Sequence, residues 1–288
     1  MMTAIKTENF SYAYRHPAKV LDNINITVET GSFTAILGPS GAGKTTLCLS
    51  LAGAVPHYFG GSLAGSVFVN GVSTLDTTMP ELAQTVGSVL QDYEIQLVTM
   101  TVEEEIAFSL ENLGLEAEQI SACTAEVLAA VGLTGYEQAE VASLSGGQKQ
   151  RLAIASVLAA DPDILVLDEP ASALDPEGTR ELYKLLGDLK CRRGLTIIVV
   201  EHDIAQILPY ADQFILLNNG KLEQAGPPED VLNYMWTNQL TPEALPPLWL
   251  LKLALQAQSG IQLSAWKTEQ SAIDELSACL SKGGLPDA

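Results

Sequence analysis

Hydrophobic positions fall along this chain in three rhythms, and each predicts a different part of the structure. Residues 164–167 (Ile-Leu-Val-Leu) and 196–200 (Thr-Ile-Ile-Val-Val) are short runs, apolar at nearly every position and rich in β-branched side chains. Runs of that length without alternation predict strands covered on both faces, the environment of a parallel sheet. Residues 11–14, 24–28, 33–37 and 67–69 mix alternation with continuous apolar stretches and predict further strands. The last of these runs into Asn70-Gly71, a strong hairpin-type turn signal. Helical spacing of apolar residues recurs over 44–53, 147–159 and 176–193. Strands and helices alternating in this way predict an α/β chain with a parallel sheet and covering helices.

Two stretches break the alternation. Residues 102–113 and 121–131 have a helical period with nothing strand-like beside them, so about 92–145 is expected to form a helical lobe inserted into the core. Beyond Gly226-Pro-Pro228 the chain turns Leu/Ala/Trp-rich, and residues 248–258 and 269–280 predict two amphipathic helices. The expected organisation is one domain over 1–235 and a small helical appendage over 236–288, without internal repeats.

Composition alters this picture little, and charge alters it more. The 288 residues suffice for a sizeable core, and 47% hydrophobic against 17% charged residues suggests the rather apolar surface of a subunit in a complex. No apolar stretch approaches the roughly 20 residues of a membrane span. The opening Met-Met-Thr-Ala-Ile-Lys-Thr-Glu has no basic-then-apolar secretory pattern. Cys48, Cys123, Cys191 and Cys279 are scattered without a CxxC pair and are expected as free thiols of a reducing compartment. The net charge of −20 is uneven: no Lys or Arg occurs between Lys44 and Lys149. That segment instead carries Asp76, Glu81, Asp92, Glu94, Glu103, Glu104, Glu105, Glu111, Glu116, Glu118, Glu126, Glu137 and Glu140. Such a segment repels phosphate backbones, which disfavours nucleic acid as a partner. Most of these carboxylates are expected to be solvated, and a few to form a dock for a basic partner.

The chemistry starts at Gly38-Pro39-Ser40-Gly41-Ala42-Gly43-Lys44-Thr45-Thr46, a complete phosphate-loop pattern placed directly after the strand predicted at 33–37. Its glycines let the backbone curl so that N–H groups point at phosphate oxygens, and the helix beginning there adds its positive dipole end. Lys44 is expected to reach the β- and γ-phosphates of a nucleotide, and Thr45 to place its hydroxyl on Mg²⁺. Asp168 and Glu169 close the buried run 164–167 and are aimed at the crevice beyond the strand's carboxyl end. Asp168 is expected to hold Mg²⁺ through water, and Glu169 to polarise an attacking water as general base.

Between these two elements, ahead of a predicted helix, lies Leu144-Ser145-Gly146-Gly147-Gln148. With it the chain resembles the ATP-binding cassette (ABC) subunits over about residues 3–235. The resemblance implies a P-loop NTPase fold of the ABC type: a parallel-sheet core, an antiparallel β subdomain, the inserted helical lobe and a small C-terminal helical appendage. It implies ATP and Mg²⁺ as ligands, ATP being closed between two such domains and hydrolysis releasing them. Ser145, Gly146, Gly147 and Gln148 would then act on the γ-phosphate held by the opposite subunit. Gln91, after the strand-like 86–90, fits the family's residue that contacts Mg²⁺ and the attacking water. Ser172-Ala-Leu-Asp175 fits the loop that touches the partner's site, and His202 fits the switch histidine on the γ-phosphate. An aromatic near the N-terminus is implied to stack on adenine: Tyr12 or Tyr14, with Tyr12 preferred. His16 and His57 are assigned nothing.

Looser matches select a branch. Pro56-His-Tyr-Phe-Gly-Gly61, Asp92-Tyr-Glu-Ile-Gln-Leu97, Thr101-Val-Glu-Glu-Glu-Ile-Ala-Phe108 and Glu111-Asn-Leu-Gly-Leu115 are similar to the energy-coupling-factor (ECF) ATPases of vitamin, cobalt and nickel importers. Leu245-Pro-Pro-Leu-Trp and Gly260-Ile-Gln-Leu resemble that branch's short appendage, which helps hold the ATPase pair together. The partners implied are a second ATPase subunit (the same chain or a sister), an integral membrane coupling subunit and a membrane substrate-binding subunit, with this chain peripheral on the cytoplasmic face. Arginine-bearing helices of the coupling subunit would dock near Gln91, with Asp92, Glu94, Glu103, Glu104 and Glu105 as acidic candidates. Ile95, Leu97, Val98 and Met100 would be the apolar lining. The rival readings are a conventional ABC transporter ATPase, a soluble ABC ATPase acting on nucleic acid or ribosomes, and a regulatory ATP sensor. The cargo is not written in such a subunit.

Overall fold

The computed structural model describes residues 2–281, so the last part of the expected appendage, residues 282–288, lies outside the described residues. Eleven strands are assigned among the described residues: β1 Thr3–Ala13, β2 Leu21–Ile24, β3 Thr27–Glu29, β4 Phe33–Leu37, β5 Ser62–Val69, β6 Val72–Ser73, β7 Val86–Val89, β8 Ile164–Asp168, β9 Thr196–Val200, β10 Gln213–Asn218 and β11 Lys221–Gly226. The helices are α1 Lys44–Leu51, α2 Ala54–His57, α3 Met79–Thr85, α4 Val102–Asn112, α5 Ala117–Val131, α6 Gly146–Leu158, α7 Pro176–Arg193, α8 Ile204–Ile207, α9 Pro228–Thr237, α10 Pro247–Ser259 and α11 Glu269–Ser281.

Two sheets share the work. The larger runs in the order β11-β10-β4-β9-β8-β7, parallel except for β11, and the smaller is an antiparallel sheet built on β1 and β5. Alternate residues of the parallel strands feed two separate cores. Phe33, Leu37, Leu165, Leu167, Ile197, Val199, Phe214 and Leu216 pack with the helices α4 to α7, α9 and α10. Ile36, Ile164, Val166, Ile198, Val200, Ile215 and Leu217 pack instead with α1 and the antiparallel sheet. Burial on both faces is why these strands are apolar at every position rather than at every second one.

The sequence pattern placed most elements and mislaid a few. Residues 24–28 are not one strand: Asn25 and Ile26 separate β2 from β3. The strand expected at 11–14 is the end of the much longer β1, whose charged positions Lys6 and Glu8 mask the alternation. Asn70 and Gly71 do join β5 to β6, with φ of 48° and 81°, the left-handed pair that a two-residue hairpin turn needs.

The C-terminal segment is anchored at one buried cation. Leu245 and Trp249 pack into the main core, and Lys252, 1% exposed, sits with Nζ 2.5 Å from Glu229 Oε1 and 4.6 Å from the Trp249 ring centroid. A second, small cluster of Leu263, Trp266 and Ala272 closes α11 onto α10. The Trp266 indole N–H donates to Glu275 Oε2.

Removing one partner of a buried ion pair strands the other charge, whereas replacing the buried cation by a hydrophobe of similar shape does not. Glu229→Ala is expected to destabilise the C-terminal segment by about 2 kcal/mol, discounted for the partial exposure of Glu229, and Lys252→Met by under about 1 kcal/mol. Urea unfolding followed by tryptophan fluorescence reads both; the opposite order would show that the pair is not the anchor.

Candidate active site

The functional residues gather because the parallel strands end level with one another. Ile36 on β4 and Asp168 on β8 both pair with Val200 of β9, and Val89 on β7 pairs with Leu167 of β8. The loops that leave β4, β9, β8 and β7 are therefore neighbours along one edge, the carboxyl edge of the sheet. They carry the phosphate loop, His202, Asp168 with Glu169, and Gln91.

After β4 the chain turns sharply at Gly38. Its φ of 142° is left-handed territory, and a Cβ there would lie 2.1 Å from the Leu217 carbonyl oxygen, so only glycine fits. α1 then starts at Lys44, capped by Gly43. The Lys44 side chain is buried and folds back along the loop, donating to the carbonyls of Gly38 (2.8 Å) and Pro39 (3.1 Å). Burial pushes its ammonium below the usual lysine range, against the pull of Glu169 and Asp168. Asp168 is buried too, and burial raises its carboxyl above the ordinary aspartate value, aided by Glu169 and opposed by the Thr45 hydroxyl and Lys44. Its Oδ1 has no hydrogen-bond partner. A buried, unsatisfied carboxylate oxygen beside a threonine hydroxyl and a lysine fits a hydrated divalent cation.

Glu169 is the hub of the site. It occupies a left-handed backbone conformation (φ 49°), a strained geometry costing about 1 kcal/mol for a non-glycine residue. Its carboxylate accepts from the Gln91 side-chain amide (3.0 Å) and meets His202 Nε2 at 2.9 Å. Two residues from two neighbouring strand ends thus converge on the carboxylate that ends a third.

The motif at 144–148 forms the N-terminus of α6. Ser145 is the cap: its Oγ accepts from Gln148 N (3.3 Å), and Gln148 Oε1 accepts from Ser145 N (2.9 Å). Ser145 and Gly146 are exposed, so the first amides of α6 face outward. Asp175 caps α7 through Gly178 N at 2.7 Å and is also exposed.

The structure corrects the preferred aromatic. Tyr12 is 1% exposed, packs in the core between the sheets and donates its hydroxyl to the Gly60 carbonyl, so it has no free ring face. Tyr14, just past the end of β1, is 41% exposed and its Oη lies 3.4 Å from Thr46 Oγ1. The adenine expectation therefore moves from Tyr12 to Tyr14. The acidic docking candidates also thin out. Glu105 is 3% exposed and takes hydrogen bonds from Val98 N, Thr99 N and Thr99 Oγ1, bracing the preceding loop rather than facing a partner. Glu104 closes a capping box with Thr101, and Glu103 binds Gln138. Ile95, Val98 and Met100 are exposed as expected, while Leu97 packs partly against the core. A groove of about 330 Å³ runs between Met100, Leu97 and Glu94 on one side and Val141 and Lys149 on the other.

Two functional residues escaped the sequence reading. Glu201, buried just before His202, accepts from the Tyr183 hydroxyl with Oε1 and from His202 N (2.9 Å) with Oε2. It fixes the backbone that presents His202. An acid directly after a buried strand was the available signal, as at Glu169. Tyr93, buried two residues beyond Gln91, entered only as part of the 92–97 match, because an aromatic in a polar loop carries no sign of its own of what it packs against.

A family model described as "ABC transporter" matches residues 21–172. A protein of Pyrococcus abyssi, provisionally named an ABC transporter ATP-binding protein, is 44% identical over 80% of this chain and 82% of its own length. The energy-coupling factor transporter ATP-binding protein EcfA of Pediococcus pentosaceus is 36% identical over 81% of this chain and 82% of its own. Among solved structures, CbiO1 of Clostridium perfringens, described as part of the ABC transporter complex CbiONQ, superposes with a TM-score of 0.76 at 29% identity. That superposition covers 90% of this chain and 98% of the other.

The raised carboxyl of Asp168 gives a testable sign. A folded-state value above the unfolded one means that ionised Asp168 opposes folding at neutral pH and ceases to do so below about pH 4, where both states are protonated. Asp168→Asn is thus expected to melt above the wild-type chain at pH 7 in chelator-treated, nucleotide-free buffer, with the gap closing toward pH 4. A gap that widens on acidification would reverse the assignment.

Proposed function

This chain belongs to the ABC transporter family of ATP-hydrolysing subunits, and from that premise we propose that it energises a membrane importer of the energy-coupling-factor type. The observation that carries the hydrolytic part is the convergence of Gln91 and His202 on Glu169 beside a complete phosphate loop. The branch is supported by 36% identity to EcfA over 235 residues and by the likeness to CbiO1, which extends through 90% of this chain. No helix among the described residues is long and apolar enough to cross a membrane.

In this reading ATP lies along the loop 38–46, with its base on Tyr14 and its β- and γ-phosphates at the ammonium of Lys44. Binding of the phosphates would draw Lys44 from the carbonyls of Gly38 and Pro39 that hold it in their absence. Thr45 and Asp168, with Gln91, would hold Mg²⁺, which supplies charge neutralisation at the phosphates. Glu169 takes the proton of the attacking water, and the Gln91 amide and His202 fix its carboxylate for that task. Glu201 keeps the His202 loop in place. Ser145 and the first amides of α6, exposed and carrying a positive dipole end, would meet the γ-phosphate of a second ATPase subunit. Asp175 would approach the same site. ATP then bridges two subunits, and its cleavage removes the bridge.

The groove beside Met100 and Glu94 is the place for the membrane partner. Its apolar floor and the Glu94 and Glu140 carboxylates on its rim, the first already shared with Lys149, suit a coupling helix bearing arginines, which pair with carboxylates bidentately. The vitamin or transition-metal cargo would be chosen by those membrane subunits.

Tagged Glu169→Gln protein, purified from membranes of its own host with Mg-ATP, is expected to stay dimeric and to bring down a membrane coupling subunit and a small integral binding protein. Recovery with ribosomes or nucleic acid and no membrane protein would sink the transporter reading. Separately, Tyr14→Ala is expected to raise the KM for ATP about tenfold with kcat little changed, since one aromatic–base stack is worth on the order of 1–3 kcal/mol. Tyr12→Ala should lower the melting temperature instead, and a reversal of these two phenotypes would return the base to Tyr12.

A further inference from the structure

The segment that carries Gln91 is fastened at three points. Its far end is clamped to β7, because Gln96 Oε1 accepts from Leu90 N (2.9 Å) and Gln96 Nε2 donates to the Ser88 carbonyl (3.1 Å). Its middle is fastened to α6 twice. The Tyr93 hydroxyl donates to the Gly146 carbonyl at 3.2 Å, and the Glu94 carboxylate pairs with Lys149 Nζ at 3.0 Å. The ring of Tyr93 is only 4% exposed, so packing fixes its direction. Its near end carries Gln91, whose amide reaches Glu169.

A short loop clamped in this way moves as one piece. Gly146 and Lys149 lie in the first turn of α6, the turn whose amides face outward. We propose that Tyr93, with the Glu94–Lys149 pair, is a positioning tether: it makes the seating of Gln91 on Glu169 depend on where the first turn of α6 sits. The inference rests on the reading above, in which that turn binds the ATP of the second subunit. Capture of phosphate at α6 of one subunit would then be felt at the Gln91–Glu169 contact of the same subunit, which serves the other ATP. The two sites would then be coupled through the two-residue step from Gln91 to Tyr93.

The contact that shifts is the Gln91–Glu169 contact and not one to nucleotide, so the coupling appears as cooperativity of hydrolysis rather than as altered binding at one site. Tyr93→Phe keeps the buried ring and removes only the hydroxyl. Steady-state ATPase of the full chain is expected to show a Hill coefficient above one for the wild type, falling toward one in Tyr93→Phe. kcat should fall about three- to tenfold, the range for loss of one hydrogen bond. Equilibrium binding of a fluorescent ATP analogue without Mg²⁺, and the melting temperature, should stay near wild type. Glu94→Lys and Lys149→Glu should each lower the Hill coefficient, and the double exchange should restore it. A wild-type Hill coefficient of one overturns the tether. So does Tyr93→Phe protein with wild-type kcat and cooperativity, or a double exchange no better than either single change. Failure of Glu169→Gln to dimerise with ATP overturns the underlying two-subunit reading instead, so the two failures are distinguishable.

Discussion

The molecule depends on the level register of four adjacent parallel strands, β4, β9, β8 and β7. Each is apolar on both faces, and a strand buried on both sides cannot slip against its neighbours without dragging side chains out of two cores at once. Register held that firmly brings the four carboxyl ends side by side. The phosphate loop, Asp168 with Glu169, His202 and Gln91 are then neighbours, although Gln91 and Glu169 are 78 positions apart in the chain. The strained backbone at Glu169 is held by hydrogen bonds of its own peptide groups: its N–H donates to the Val200 carbonyl (3.2 Å) and its carbonyl accepts from Ser172 N (3.2 Å).

Charge inside the site is arranged for a ligand that is itself charged. A buried ammonium at Lys44 and a buried carboxyl at Asp168 are each pushed toward neutrality by burial, and Glu169 stands between them with two polar partners. A polyphosphate and its cation would complete both half-satisfied charges, which ties ligand binding to relief of an electrostatic cost present in the free protein. The acid-rich lobe has a different use for its carboxylates. Glu104 caps a helix, Glu105 braces a loop from inside, and Glu94 pairs with Lys149 at the edge of the groove at Met100.

The polar side chains that shape this site act mostly on backbone. Glu201 holds the amide of His202, Gln96 and Tyr93 hold the loop of Gln91, and Asp175 and Ser145 hold the first turns of their helices. The groups proposed as catalytic are thereby set on loops whose freedom has been removed, which is the form in which a general base and its partners would work best.

The sequence determined whatever depends on residues close together in the chain. The phosphate loop, the acid pair closing a buried strand, the helix start at the 144–148 motif and the Asn70-Gly71 turn are local, because a turn or a helix start is built from four to nine consecutive residues. The helices expected over 102–113 and 147–159 followed from spacing for the same reason, and the structure places them at 102–112 and 146–158. The tertiary structure decided what depends on where a side chain points after distant segments meet. Tyr12 and Tyr14 look alike in sequence, yet β1 ends at Ala13 and only the packing of the second sheet buries one and frees the other. Glu105 looks like its exposed neighbours until the loop before α4 folds over it. Tyr93 has no meaning until α6 arrives beside it from 53 positions away. Local backbone preference is a property of a few residues, whereas burial and partnership belong to surfaces that exist only once the sheet has set its order.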